Sequence, residues 1–253
     1  MEESVVLKRT IKNWEYKEKE ILTPLELKAG FKIVGSYSDE YTTPVPEHCF
    51  VRYGYIIRRA MDVSKKHNDM AIQIFNLITE HLLINGIERA KERIFYSNRV
   101  NLSRNQEAST RDEALLDIAV YNEPFSGDIG SIPHGKVPIL VIEILSESTA
   151  TIDLTEKKEK YRNLGVKHYW LLAKADDLNE GLERSWFFKL QGRKYIDKTA
   201  EVQESGILKC ENLFGLELSA SDIWFQGDES DLIKRKIKEQ EVLKKRAEQE
   251  RQR

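Results

Sequence analysis

Val137 to Ala173 reads VPILVIEILSESTATIDLTEKKEKYRNLGVKHYWLLA. Its apolar run from Ile139 to Leu145 is broken by one charge, Glu143. A run this short, bounded by Pro138 and the polar stretch after Leu145, reads as a strand covered on both faces. Burying a bare carboxylate there is costly, so Glu143 implies a partner, a metal ion or a functional reason. Asp153 with Glu156 three residues on resembles a capping box and predicts a helix beginning near Leu154. Gly165 suits the residue after the helix, where positive φ is needed. His168 to Ala173 then returns as a strand.

Upstream, Leu115 to Tyr121 (LLDIAVY) reads as another apolar strand, with Asp117 sharing a face with Leu115 and Ala119. Glu143 shares its face with Val141 and Leu145. Two carboxylates brought together by strand pairing repel unless a cation lies between them, and hard oxygen ligands suit Mg²⁺ or Mn²⁺. Taken alone, either acid is better explained as a strand-end carboxylate that pairs with a lysine or caps a loop. On the helix, Leu154, Lys157, Tyr161 and Leu164 define one face toward the sheet, and Lys157 stands where an aliphatic residue is expected. Its stem can pack while its ammonium reaches the strand-end carboxylates; the plainer reading is a lysine that only neutralises Glu143. An Asp, a Glu and a Lys at one sheet edge suit phosphodiester hydrolysis. The acids would hold a divalent ion, and the lysine would orient water or stabilise developing negative charge.

The remaining chain organises around this unit. Residues 1–45 form a polar N-terminal extension ending in a Pro44 and Pro46 loop, residues 46–226 the main domain, and residues 227–253 a charged helical tail. Phe50 to Met61 predicts one or two short strands, Lys66 to Ile84 an amphipathic helix stopped at Asn85-Gly86, and Arg93 to Val100 a strand. Ser185 to Leu190 and Arg193 to Asp197 resemble a hairpin. The tail lacks a steady heptad and reads as a solvated helix, with coiled-coil pairing into a homodimer as the alternative. At 253 residues, 40% hydrophobic, 32% charged and net charge −2, the chain is an ordinary globular composition and no uniformly basic nucleic-acid binder. Cys49 and Cys210 form no metal-ligand cluster and read as reduced thiols of a cytoplasmic protein. No secretory signal or membrane-spanning apolar run is expected.

LDIAVY, followed by IEILSESTATIDLTEKKEKYRNLGVKHYWLL, resembles the Uma2 family, formerly a domain of unknown function, of nucleases with the restriction-endonuclease-like PD-(D/E)xK fold. The resemblance spans about residues 50–225 and is most specific from Asp117 to Leu172. It implies an α/β fold with a central mixed sheet flanked by helices, and a metal-dependent endonuclease acting on nucleic acid, DNA in preference to RNA. By the same resemblance, Asp117 and Glu143 are the metal ligands and Asp117, Glu143 and Lys157 the catalytic set. In the wider superfamily the lysine lies two residues after the Glu; that position is Leu145 here, so the lysine has migrated onto the helix. Ser146 and Asp153 match family positions that support the site, and His67 matches the polar residue opening the first core helix.

Two departures stand out: Leu116 replaces the family's proline, and FVRYGYIIRRAM lacks the acid its family counterpart supplies. Glu47 or Asp62 are the candidate substitutes. The loss also leaves an alternative reading, a catalytically weak or inactive module for nucleic-acid binding or assembly. Arg52, Arg58, Arg59, Lys65 and Lys66, and then Arg89, Lys91, Arg93, Arg99 and Arg104, are candidate phosphate contacts.

Overall fold

A computed structural model describes residues 21–36, 49–53, 55–58, 64–101, 113–125, 136–146 and 149–225. The chain opens with α1 (Pro24–Lys28) and β1 (Lys32–Ser36), followed by the hairpin of β2 (Cys49–Arg52) and β3 (Tyr55–Arg58). These strands make a small antiparallel sheet in the order β1-β3-β2. Part of the polar lead-in is therefore regular structure, although KIVGS is too short and too glycine-interrupted to announce a strand.

The long helix α2 (Lys65–Ile84) is capped by Ser64, whose hydroxyl accepts from the His67 amide. β4 (Ile94–Asn101), β5 (Glu113–Val120) and β6 (Leu140–Leu145) lead to a compound helix. It comprises α3 (Ala150–Ile152), a π-helical turn (Asp153–Lys157) and α4 (Lys158–Leu164). β7 (His168–Ala173), α5 (Leu178–Glu183), β8 (Trp186–Gln191) and β9 (Lys194–Asp197) follow, then α6 (Thr199–Ser205), β10 (Ile207–Cys210), β11 (Leu216–Ser219) and α7 (Ala220–Ile223). The central sheet has six strands in the order β4-β5-β6-β7-β8-β9. β6 and β7 run parallel and every other neighbouring pair antiparallel, so the fold is α/β with a mixed central sheet flanked by helices.

β6 is buried at every position, as a strand covered on both faces must be. Leu140, Ile142 and Ile144 pack with Ile74, Ile78 and Leu82 of α2. Val141 and Leu145 pack on the opposite face with Tyr161 of α4 and Tyr169 of β7. Alternation puts Glu143 on this second face, beneath the compound helix. A third cluster joins Leu22, Phe31, Phe50 and Ile57 of the N-terminal layer to Ile152 of α3. Gly165 adopts φ +96° and closes α4 as expected.

The helical segment departs from the capping-box expectation. It begins at Ala150, before Asp153, and Asp153 has helical dihedrals of −64° and −41° rather than the extended ones a cap needs. Asp153 instead opens the π-turn, a rare geometry frequent at functional sites. The charged tail, Glu47 and Asp62 lie outside the described residues.

Candidate active site

The β5–β6 ladder runs from Val120–Leu140 to Ile118–Ile142 and stops there. Immediately beyond it, the Asp117 carboxylate accepts from the Ile144 backbone N–H at 2.7 Å. A side chain thus ties the two strand ends together where the ladder no longer does. The other Asp117 oxygen, Oδ1, lies 3.1 Å from His67 Nε2, and both side chains are buried. α2 delivers His67 from its first turn.

Across the strand, Glu143 is 1% exposed and its Oε1 is shared. Lys157 Nζ approaches it at 2.8 Å, and the Tyr161 hydroxyl donates to it at 2.9 Å. Lys157 Nζ also lies 3.0 Å from Asp153 Oδ1, one turn back. Asp153 is fixed from the sheet side too, since the Tyr169 hydroxyl donates to its backbone carbonyl at 3.0 Å. Asp153, Lys157 and Tyr161 follow one another four residues apart. In an unbroken α-helix that spacing drifts around the axis, and the wider π-turn keeps all three toward β6.

Electrostatics set Glu143 apart. Burial pushes its carboxyl up, Lys157 pulls it back, and the charges of Asp117 and Asp153 push it up again, to about 8. Burial likewise raises the Tyr161 hydroxyl well above its ordinary value, reinforced by the adjacent Glu143, so Tyr161 is a neutral donor. The buried polar contacts thus form two sets, Asp117 with His67 and the Ile144 amide, and Glu143 and Asp153 with Lys157, near enough for the Asp117 charge to act on Glu143. Among the described residues no group of three or more His, Cys, Asp or Glu side chains forms a metal cage.

Of the residues that the sequence groups together, Lys157 reaches Glu143, and Asp117 stands near enough for its charge to act on Glu143. His67 enters as the partner of Asp117, which its position at a helix start does not reveal. Tyr161 is legible as a core-facing residue, but not as the donor to Glu143. The Ser146 hydroxyl lies 2.8 Å from that of Thr149.

Several candidate phosphate contacts are engaged elsewhere. Arg52 is buried in a two-pronged ion pair with Glu26, each bond 2.8 Å. Arg89 pairs with Glu92, Lys66 with Asp176, and Arg93 lies over the Phe214 ring. Arg58 and Lys65 are exposed, whereas Arg59, Arg104 and the Arg99 side chain lie outside the described residues.

A family model described as "Uma2: Putative restriction endonuclease" matches residues 48–221. The chain belongs to the Uma2 family. His67, Asp117, Glu143, Asp153, Lys157 and Tyr161 all lie inside the Uma2 region, while α1 and β1 precede it. One similar solved structure is titled a putative nuclease belonging to DUF820 from Anabaena variabilis ATCC 29413. It is 18% identical with a TM-score of 0.49, over 72% of this chain and 93% of that one. No curated protein matches the chain significantly. No helix among the described residues is long and apolar enough to cross a membrane.

Proposed function

We propose that this Uma2 protein is a metal-dependent endonuclease that hydrolyses phosphodiester bonds in DNA. The observation that carries the reading is Lys157, held between Glu143 and Asp153 while Asp117 caps the neighbouring strand end, all inside the family region.

The donor set fits a hard divalent cation such as Mg²⁺ or Mn²⁺. Asp117 and Glu143 offer oxygen ligands from adjacent strand ends, and a carboxyl pushed up by burial and by two neighbouring acids is stabilised by added positive charge. With no all-protein cage among the described residues, water would fill the remaining positions, as Mg²⁺ readily allows. When bound, such an ion would lower the pKa of a water and offset phosphate charge. Asp117, kept in place by the Ile144 amide and His67, and Glu143, kept in place by Tyr161, would hold it. Lys157 would orient the attacking water or stabilise charge developing on the phosphate, its ammonium positioned in advance by two carboxylates. Lys157 also lines an open cleft of about 370 Å³, its mouth included, beside Glu26, Arg52 and Lys160.

Supercoiled plasmid incubated with the purified protein and Mg²⁺ or Mn²⁺ should be nicked or linearised. Asp117→Ala, Glu143→Ala and Lys157→Ala should each lower the rate at least about 100-fold while retaining the native circular dichroism spectrum. Cleavage persisting in all three folded variants would refute the assignment.

A further inference from the structure

Residues 21–31 lie ahead of the Uma2 region, yet they close on the turn that carries Lys157. The Thr23 hydroxyl donates to Glu156 Oε2 at 3.0 Å, and Glu156 immediately precedes Lys157 in the π-turn. The same hydroxyl accepts from the Glu26 amide at 3.2 Å, while the Thr23 amide donates to Glu26 Oε2 at 2.9 Å. This reciprocal capping box makes Thr23 and α1 one rigid unit. That unit is anchored in turn to β2, because both Glu26 oxygens accept from Arg52 and both side chains are 5% exposed. Burial opposes the Glu26 charge, but Arg52, the Thr23 amide and Lys160 together hold its carboxyl below the usual range. Apolar contacts complete the attachment, with Leu22 and Phe31 sharing a core cluster with Ile152, just before the π-turn. Glu26, Arg52, Glu156, Lys157 and Lys160 line one cleft.

A π-turn is rarely favoured by local sequence and persists where its surroundings define it. Losing either partner of a buried ion pair leaves the other charge uncompensated, so the Glu26–Arg52 pair ties α1 to β2 beside this turn.

We propose that residues 21–31 form a strap that positions Lys157 from outside the family domain. Thr23 acts through Glu156 to hold the π-turn in the geometry that sets the lysine between Glu143 and Asp153, and the Glu26–Arg52 pair fixes the strap. Thr23, Glu26 and Glu156 are positioning residues; the catalytic consequence rests on Lys157 working in the reaction proposed above.

The experiment uses the full chain with Thr23→Val, which loses the hydroxyl, Thr23→Ser, which keeps it, and Glu156→Ala as a second break of the same bond. Two readouts are taken: plasmid cleavage, and reductive methylation of Lys157 followed by mass spectrometry, which needs no activity. Thr23→Val and Glu156→Ala should methylate Lys157 several-fold faster and lower kcat about tenfold with KM nearly unchanged, while Thr23→Ser behaves as wild type. Unchanged Lys157 methylation in whichever of the two breaking variants folds would overturn the strap. Faster methylation in a protein whose wild type cleaves no nucleic acid would uphold the strap and remove the nuclease reading instead.

Discussion

Lys157 serves two carboxylates with one ammonium, at 2.8 Å from Glu143 and 3.0 Å from Asp153, in a setting where the lysine is 8% exposed. Removing one member of a buried ionic set costs more than the set contributes, because the remaining charges stay buried without compensation. Lys157→Met keeps the aliphatic stem and deletes the charge, so at a pH where Glu143 is ionised it should destabilise the metal-free protein by about 3 kcal/mol in urea unfolding. A loss below about 1 kcal/mol, the range of a surface pair, would show that the ammonium does not bind the buried carboxylates as described. At this scale the chain was partly legible. A charge inside an apolar run is visible in one dimension, which is why Glu143, Asp117 and Lys157 could be read directly. His67 could not, since it lies fifty residues before the Asp117 it meets, and only the packing of α2 against the sheet joins them. Arg52 shows the opposite failure: it reads as a solvent-facing phosphate contact, and a glutamate from α1 consumes it.

Elements proved easier to find than to describe. Hydrophobic period located α2 and strands β5 to β9 within a residue or two, because half-buried elements need apolar side chains at fixed intervals. The compound helix shows the limit of local signals. Asp153-Leu154-Thr155-Glu156 has the spacing of a helix start, but tertiary contacts win, drawing the Asp153 carbonyl to Tyr169 and its carboxylate to Lys157. α5 carries a second constraint that its sequence hides. Gly181 faces the ring of Trp224, whose indole N–H donates to the Ala173 carbonyl at 2.9 Å, and a Cβ at position 181 would overlap that ring. Gly181→Ala should therefore lose about 1–3 kcal/mol of stability through overpacking, even though alanine is the better helix former. Thermal denaturation would detect the loss, and an unchanged or raised Tm would contradict the close approach of α5 and α7.

Over the whole molecule, three apolar clusters form the core, and buried titratable groups such as His168 and Glu26 give the fold a pH response. Burial in β7 holds the His168 imidazole below its ordinary value of 6.5, against the opposing pull of Asn212 and Glu211. The folded protein thus binds this proton less readily than the unfolded chain. The contribution is complete above about pH 6.5 and is lost as pH falls through the folded-state value. His168→Gln should flatten the decline in urea midpoint between about pH 7 and 5, and an equally steep decline would remove His168 as its source. Glu26 acts in a lower window, stabilising above its ordinary value of 4.5 and losing that contribution as its depressed carboxyl protonates. By itself the sequence determined the α/β class and the buried Glu143, because burial period and misplaced charge are written along the chain, and its motifs carried the family resemblance. Only the tertiary structure decided that His67 meets Asp117 and Tyr161 meets Glu143, that Lys157 rides on a π-turn, and that Thr23, ahead of the family domain, bonds its neighbour Glu156. Each of these depends on contacts between segments far apart in the chain, and no local pattern encodes which distant group a polar side chain will meet once water is excluded.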